Sequence, residues 1–165
     1  MPVELVQATE EDAADLVALR AAVNRRLLAG YGEGLWLAKL TEKGALFAMR
    51  RARLFVARHR GRAIAMLALS TRKPWAIDAK YFTPCARPLY LTSMAVDPQA
   101  QRKGIGRQCI EAARRIAKEW PADAIRLDAY DLPAGAGGFY AKCGFRRVGN
   151  AVYRGAPLVY YEMIL

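Results

Sequence analysis

The sequence predicts one mixed α/β domain of the α+β kind, with a central sheet of about seven strands flanked by four helices. Three observations predict it. Period-2 and helical patterns follow one another in the order βααβββαβαββ along the 165 residues. No internal repeat and no low-complexity linker divides the chain, so residues 1–165 read as a single domain. The content is 54% hydrophobic and 25% charged, enough to bury a sizeable core without staples and far too apolar for a disordered chain. Cys85, Cys109 and Cys143 are widely spaced and form no disulfide framework. No apolar run approaches the ~20 residues that span a bilayer, and the N-terminus is acidic where a signal peptide would be basic. A soluble protein of a reduced compartment, the cytoplasm, is expected, with no membrane partner.

Each element has its own signal. Val3–Ala8 reads as the first strand, and Thr9 with Asp12 fits the capping pattern [ST]-x-x-[DE]. Ala13, Leu16, Val17, Val23 and Leu27 then form a helical stripe, which Gly30, Gly32 and Gly34 break. A second helix is expected from about Leu35 to Arg50, with Trp36 on its core stripe. Leu54–His59 and Ala63–Ser70 read as strands joined by a hairpin turn at Arg60–Gly61. Residues 71–88, with Pro74, Pro84 and Pro88, read as a long loop, and Tyr90–Val96 as a strand. Ile105–Trp120 is a strongly amphipathic helix stopped by Pro121. Ile125, Leu127 and Ala129 alternate as a strand. Pro133 can open a short helix ending at Gly144, and Phe145–Val148 and Leu158–Leu165 close the sheet.

The net charge of +11 points to an anionic partner: nucleic acid, an anionic surface or a phosphorylated small molecule. Charge is unevenly placed. Residues 1–19 carry only acids, whereas Arg50, Arg51, Arg53, Arg58, Arg60 and Arg62 crowd a short stretch.

The most informative segment is Met94-Ala95-Val96-Asp97-Pro98-Gln99-Ala100-Gln101-Arg102-Lys103-Gly104-Ile105-Gly106-Arg107. A strand ends, a loop carries two glycines, and a long helix begins. The unpaired amides of a first helical turn attract an anion, glycine lets a phosphate approach the backbone, and Arg102, Lys103 and Arg107 add full charge. A pyrophosphate fits this chemistry. The P-loop pattern is absent, and a dinucleotide G-x-G-x-x-G would need a glycine where Cys109 stands.

Gln101, Gly104 and Gly106 form Q-x-x-G-x-G after a strand ending in Val-Asp-Pro, and Gly138-Phe139-Tyr140-Ala141-Lys142-Cys143-Gly144-Phe145 follows one strand later. In these two motifs, in this order, residues 88–150 resemble the GNAT superfamily of N-acetyltransferases. The resemblance implies that acetyl-CoA is bound as acyl donor. Met94, Ala95 and Val96 would hold the pantetheine arm along a splayed strand. Gln101, Arg102, Lys103, Gly104, Ile105, Gly106 and Arg107 would wrap the pyrophosphate, and Ala136 would face the cofactor's other side. It implies direct transfer to an amine in a ternary complex. A backbone N–H, that of Met94, would stabilise the oxyanion, and Tyr140 would protonate the departing thiolate.

A phenol with an ordinary pKa near 10 still holds its proton at pH 7, which suits Tyr140 as an acid; packing beside Phe139 and Phe145 is its structural alternative. The base is open among Glu33, Asp78 and a water relay. Some family members carry a glutamate where Tyr90 stands. Pro133 replaces an asparagine that many members use to bond pantetheine. Asp131 either caps the following helix or faces the acceptor. Glu33, Trp75, Asp78, Tyr81, Tyr90 and Asp131 are the candidate acceptor-site residues, with Tyr31, Trp36 and Phe82 as further walls. His59, the sole histidine, sits beside a tight turn and reads as surface, and Cys109 and Cys143 read as small core residues. No His/Cys/Asp grouping has metal-ligand spacing, so no metal is expected. The partners expected are acetyl-CoA or CoA, an amine acceptor and, as a candidate, a second copy of the chain; nucleic acid is disfavoured for want of a recognisable motif. A basic nucleic-acid-binding domain and a non-catalytic acyl-CoA-binding module of the same fold are the alternatives.

Overall fold

The structure is a computed structural model and describes residues 2–165. Its strands are β1 (Val6–Gln7), β2 (Arg53–His59), β3 (Arg62–Ser70), β4 (Pro88–Val96), β5 (Ala124–Tyr130), β6 (Arg146–Tyr153) and β7 (Ala156–Ile164). Its helices are α1 (Ala13–Tyr31), α2 (Glu42–Arg51), α3 (Ile105–Glu119) and α4 (Gly137–Lys142). The seven strands form one sheet in the order β1-β2-β3-β4-β5-β7-β6. Every neighbouring pair is antiparallel except β4–β5, which is parallel and joined through α3. The mixed sheet with helices on both faces agrees with the architecture expected from the sequence.

Alternation sorts the side chains into layers. Leu89, Leu91, Ile125, Leu127, Val159 and Tyr161 face α3 and α4, where Ile105, Cys109, Ile110, Ala113 and Ala117 complete the main core. On the other face Leu54, Val56, Met66 and Ala68 meet Leu16, Leu19 and Val23 of α1. Further along that second face the long loop over residues 71–87 folds down, and Ile77 and Phe82 pack on Tyr90, Leu158 and Tyr160.

Three local expectations are corrected. Only Val6–Gln7 of the first strand pairs; Val3 and Leu5 pack against the α3 layer instead, and the Val3 amide donates to Gln108 (2.8 Å). The second helix begins at Glu42, because the Thr41 hydroxyl accepts from the Gly44 amide (3.0 Å) and starts the helix there. Residues 35–40 are loop, tied to α1 by Asn24 donating to the Ala38 carbonyl (2.8 Å). The helix expected from Pro133 begins only at Gly137. Residues 132–135 form a tight turn in which a Cβ on Gly135 would lie 1.8 Å from the Tyr130 carbonyl oxygen. The Thr9–Asp12 box is present, with the Thr9 amide donating to Asp12 (2.7 Å).

The arginine cluster has largely structural employment. Arg58 pairs with Asp12 (2.6 Å) and Asp15 (2.7 Å), anchoring the acidic start of α1 to β2. Arg62 pairs with buried Asp97 (2.6 Å), and Arg53 lies over the Trp120 ring (4.0 Å to its centroid). Arg60 and Gly61 both have positive φ, the type I′ geometry of a two-residue hairpin. Among the described residues no helix is long and apolar enough to cross a membrane.

The long loop is pinned by a polar clamp. Glu162, 1% exposed, accepts from the Thr83 hydroxyl (2.6 Å), the Thr83 amide (3.1 Å) and Arg146 (2.6 Å). Buried Arg126 donates to the Thr83 carbonyl (2.8 Å) and the Tyr90 hydroxyl (3.1 Å). Burial pushes the Glu162 carboxyl upward, but the bonds from Thr83 and Arg146 outweigh it and hold the pKa below its ordinary value of 4.5. A depressed carboxylate stabilises the fold above the unfolded pKa and loses that contribution as pH falls through the folded one. Glu162→Ala is therefore expected to cost ~1–3 kcal/mol in urea unfolding at pH 7, by orphaning the Thr83 amide. The gap between variant and wild type should shrink as the titration is taken below pH 4.5.

Candidate functional site

The site is built on a break in the sheet. β4 pairs with β5 only at Pro88, Leu89 and Tyr90, and from Leu91 onward the two parallel strands are unpaired. In the same stretch β4 carries a bulge against β3: Ala68 faces Thr92 but Met66 faces Ala95, and Ser93 takes a left-handed φ of 56°. The extra residue resets the alternation. Leu89 and Leu91 face the α3 layer before the bulge; Met94 and Val96 face it after, while Ala95 turns to α1.

Backbone direction follows from one bond. The Asp97 amide donates to Ile64 of β3 (2.8 Å), so Asp97 and Ala95 spend their backbone groups on β3. Those of Met94 and Val96 point the other way, toward the gap beside β5. The Val96 carbonyl is met there by the Gln101 side chain (3.0 Å), which folds the loop back onto the strand end. Met94 and Val96 thus present N–H groups to the gap, as a strand edge presents them to a partner.

At the mouth of the gap, Arg102 (φ 60°) and Gly104 (φ 78°) turn the loop into the first turn of α3. A Cβ on Gly104 would meet no atom within 4 Å, so open space stands before the first amides of this 15-residue helix. Arg102 and Lys103 are exposed beside it. Gly106 serves packing instead. A Cβ there would lie 3.0 Å from the Phe139 ring, so its absence lets α4 close on α3. Ile105 is buried in the core, and Arg107 donates to the Lys142 carbonyl at the end of α4 (3.1 Å). Ala136 is the N-cap residue of α4. A phosphate-bearing, extended donor fits this cradle: open space at Gly104, free amides along β4, and cations at the mouth.

Tyr140 lies on α4 with its ring held by Phe139 (5.2 Å between centroids), Phe145 (5.7 Å) and Tyr161 (6.4 Å). Burial drives its phenol pKa upward, the negative charges of Asp128 and Cys143 add to this, and the Arg20 cation opposes it. The phenol holds its proton throughout the neutral range. Asp128 sits on β5, where β4 has already left, and lies opposite Tyr160 of β7. Burial raises its carboxyl pKa, its own backbone amide only partly offsetting this, and among the described residues no ion pair reaches it. Asp128 is absent from the candidates that the sequence suggests. The signal is present in the alternation itself: with Ile125, Leu127 and Ala129 facing one core, Arg126, Asp128 and Tyr130 must share the opposite face.

The other candidates are scattered. Tyr130 donates to the Leu35 carbonyl (3.0 Å), which draws the α1–α2 loop toward β5. Glu33 lies exposed in that loop. Tyr90 is buried under the long loop, with its hydroxyl engaged by Arg126. Asp78 accepts from the Lys80 amide (3.1 Å) and pairs with the Lys80 ammonium (3.4 Å). Tyr81 packs edge-on against Tyr160 and over Gly149. Trp75 is 89% exposed. Asp131 caps no helix; its carboxylate accepts from Asn150 of β6 (3.2 Å). Among the described residues no group of three or more His, Cys, Asp or Glu side chains is placed to hold a metal.

The sequence profile of the acetyltransferase (GNAT) family matches residues 21–145. The chain belongs to the GNAT acetyltransferase family. Solved structures of the fold agree over essentially the full length. The PaiA N-acetyltransferase of Thermoplasma acidophilum in complex with coenzyme A superposes with a TM-score of 0.75 at 17% identity, covering 100% of both chains. The ribosomal-protein-alanine N-acetyltransferase of Brucella melitensis gives 0.71 at 19% identity, covering 98% of this chain and 99% of that one. An N-acetyltransferase from Staphylococcus aureus Mu50 gives 0.71 at 18% identity, covering 99% of each. No curated protein sequence matches the chain.

Two glycines separate fold from binding in this GNAT chain. Gly104 and Gly61 both have left-handed φ and open space where a Cβ would go. Alanine at either is expected to cost ~1–2 kcal/mol of backbone strain and lower Tm by about 2–8 °C. Only Gly104→Ala should also raise the Kd for coenzyme A in calorimetry, about tenfold or more, because its methyl group enters the space before the helix.

Proposed function

We propose that the chain is an acetyl-CoA-dependent N-acetyltransferase that passes the acetyl group directly to a primary amine of a small molecule, peptide or protein. The observation that carries this reading is the stretch of β4 beyond Tyr90, where β5 no longer pairs and the Met94 and Val96 amides are left directed away from β3; the buried Tyr140 phenol, whose pKa is raised by burial and by the Asp128 charge, supports it. Acetyl-CoA supplies an activated acetyl group as a thioester.

Gln101, Arg102, Lys103 and Gly104 would hold its pyrophosphate at the head of α3, with Ile105 and Gly106 shaping the turn and Arg107 bracing α4 against it. Met94 and Val96, whose backbone groups face away from β3, would carry the pantetheine arm by backbone pairing; Ala95, offered with them by the sequence, spends its backbone groups on β3 instead. Met94 N–H is the donor for the charge that develops on the thioester oxygen. Asp128, rather than Glu33 or Asp78, takes the proton of the acceptor ammonium. It lies on β5 beyond the last pair with β4, no ion pair reaches it among the described residues, and its raised pKa makes it a better proton acceptor than a solvated carboxylate. Tyr140 returns a proton to the departing sulfur, and its raised pKa keeps that proton available.

The Brucella structure is named for a ribosomal-protein alanine, which makes a peptide α-amine one arm of the acceptor test. The measurement is thiol release from acetyl-CoA with panels of small amines and peptides. Tyr140→Phe should keep the fold and lower kcat by ~10²–10⁴. Asp128→Asn should lower kcat/KM by a similar factor of ~10²–10⁴ and remove the acid limb of its pH profile. A raised base pKa places that limb above the ordinary aspartate value of 3.8, with rate rising as pH increases through it. Wild-type kcat in Tyr140→Phe, with chemistry limiting turnover, removes the acid assignment; an unchanged acid limb in Asp128→Asn returns the base to Glu33, Asp78 or water.

A further inference from the structure

Arg20 is an arginine on an otherwise apolar stripe. It lies one turn from Leu16 and from Val23, both buried on the α1 face that meets the sheet. An arginine on such a face must spend its charge on something. Its Nη2 donates to the carbonyl of Ser93 (3.1 Å), the left-handed residue of the β4 bulge.

That carbonyl belongs to the same peptide unit as the Met94 amide. In a trans peptide the C=O and N–H point in opposite directions. Arg20 approaches from α1, so a carbonyl turned toward it turns the Met94 N–H away from α1, toward the sheet face that carries α3. The Asp97–Ile64 bond adds the other component, directing the same N–H away from β3, so the two together aim it at the α3 side of the β4–β5 gap. The bond does two things at once. It satisfies a carbonyl that the bulge has removed from regular pairing with β3, and so fixes the plane of the Ser93–Met94 peptide. A cation on the carbonyl oxygen also draws electrons through the amide and makes its N–H a stronger donor.

We propose that Arg20 is a positioning residue for acetyl transfer: its guanidinium, bonded to the Ser93 carbonyl, aims and polarises the Met94 N–H toward the thioester oxygen. The inference rests on the acetyltransferase reading and goes beyond it, because it assigns a role to a side chain of α1, outside both sequence motifs. The Arg20 cation also opposes the upward push that burial and the Asp128 charge give the Tyr140 phenol.

The test compares Arg20→Met and Arg20→Lys with wild type, in steady-state thiol release and in the amide spectrum of ¹⁵N-labelled protein. Thiol release and CoA binding by wild type settle the underlying reading first: failure of both there defeats acetyl transfer and this inference together. With an active wild type, Arg20→Met should lose about 10–100-fold in kcat, as expected when an oxyanion donor is misaligned. KM for acetyl-CoA should stay within about threefold, since the pyrophosphate contacts and the pairing at Val96 lie elsewhere. The Met94 amide resonance should move in Arg20→Met more than the amides of Ala95 and Val96. Arg20→Lys should recover part of kcat, and guanidinium ion at non-denaturing concentration should partly rescue Arg20→Ala. Wild-type kcat in Arg20→Met, a loss carried by KM alone, or an unmoved Met94 resonance overturns the proposal. Should Arg20→Met fail to fold, the same readings on Arg20→Lys decide it, because a lysine that cannot reproduce the guanidinium geometry must still shift Met94.

Discussion

The separation of β4 from β5 after Tyr90 is the constraint on which the rest of the structure depends. Two parallel strands that stay paired would consume their own backbone groups and leave nothing for a ligand. Here three residue pairs hold the base of the strands together, and then the bulge at Ser93 turns β4 aside. The bulge also moves Met94 and Val96 to the face of α3, which is why the helix that follows can bring Gly104 and the cationic loop to the mouth of the same gap. One inserted residue therefore aligns the unpaired edge of β4 with the open turn at Gly104.

Opening a sheet exposes polar backbone in the interior of a domain, and the surroundings answer for it. Gln101 takes the Val96 carbonyl, Arg20 takes the Ser93 carbonyl, and the Tyr130 hydroxyl ties the α1–α2 loop to β5. On the far side, Arg126, Glu162, Thr83 and Arg146 pin the long loop over the lower part of the sheet. That clamp sits where β4 and β5 are still paired. Rigidity at the base and openness at the top are thus supplied by different side chains of the same strands.

Charge divides in a similar way. The +11 excess suggests an anionic partner, yet Arg58, Arg62 and Arg53 are spent on Asp12, Asp15, Asp97 and the Trp120 ring. The cluster that looks most like a nucleic-acid face in the sequence is largely a set of fasteners between α1, β2, β3 and α3. Arg102 and Lys103, by contrast, remain exposed beside the helix start.

Sequence alone determined what local chemistry decides. The Thr9–Asp12 box, the Arg60–Gly61 hairpin, the amphipathic stripe of α3 and the two glycine-bearing motifs are all short-range patterns, and they are enough for the fold class, the element order and the family. Arg154–Gly155 repeats the same hairpin dipeptide, with φ of 50° and 78°, but lies in a stretch with little apolar alternation, so most of β6 is not legible in the sequence. The false start of α2 at Leu35 has a similar origin, since apolar residues held by a loop imitate a helical stripe until a cap such as Thr41 is weighed against them. What only the tertiary structure decided is which polar groups meet. Arg20, Ser93, Asp128 and Tyr140 lie on four separate elements, and nothing in the spacing of one element can report a contact made across the gap between two others. Tyr90 matches an acceptor position by its place in the chain and sits instead beneath Arg126, because burial and hydrogen bonding are set by the loop folded over it.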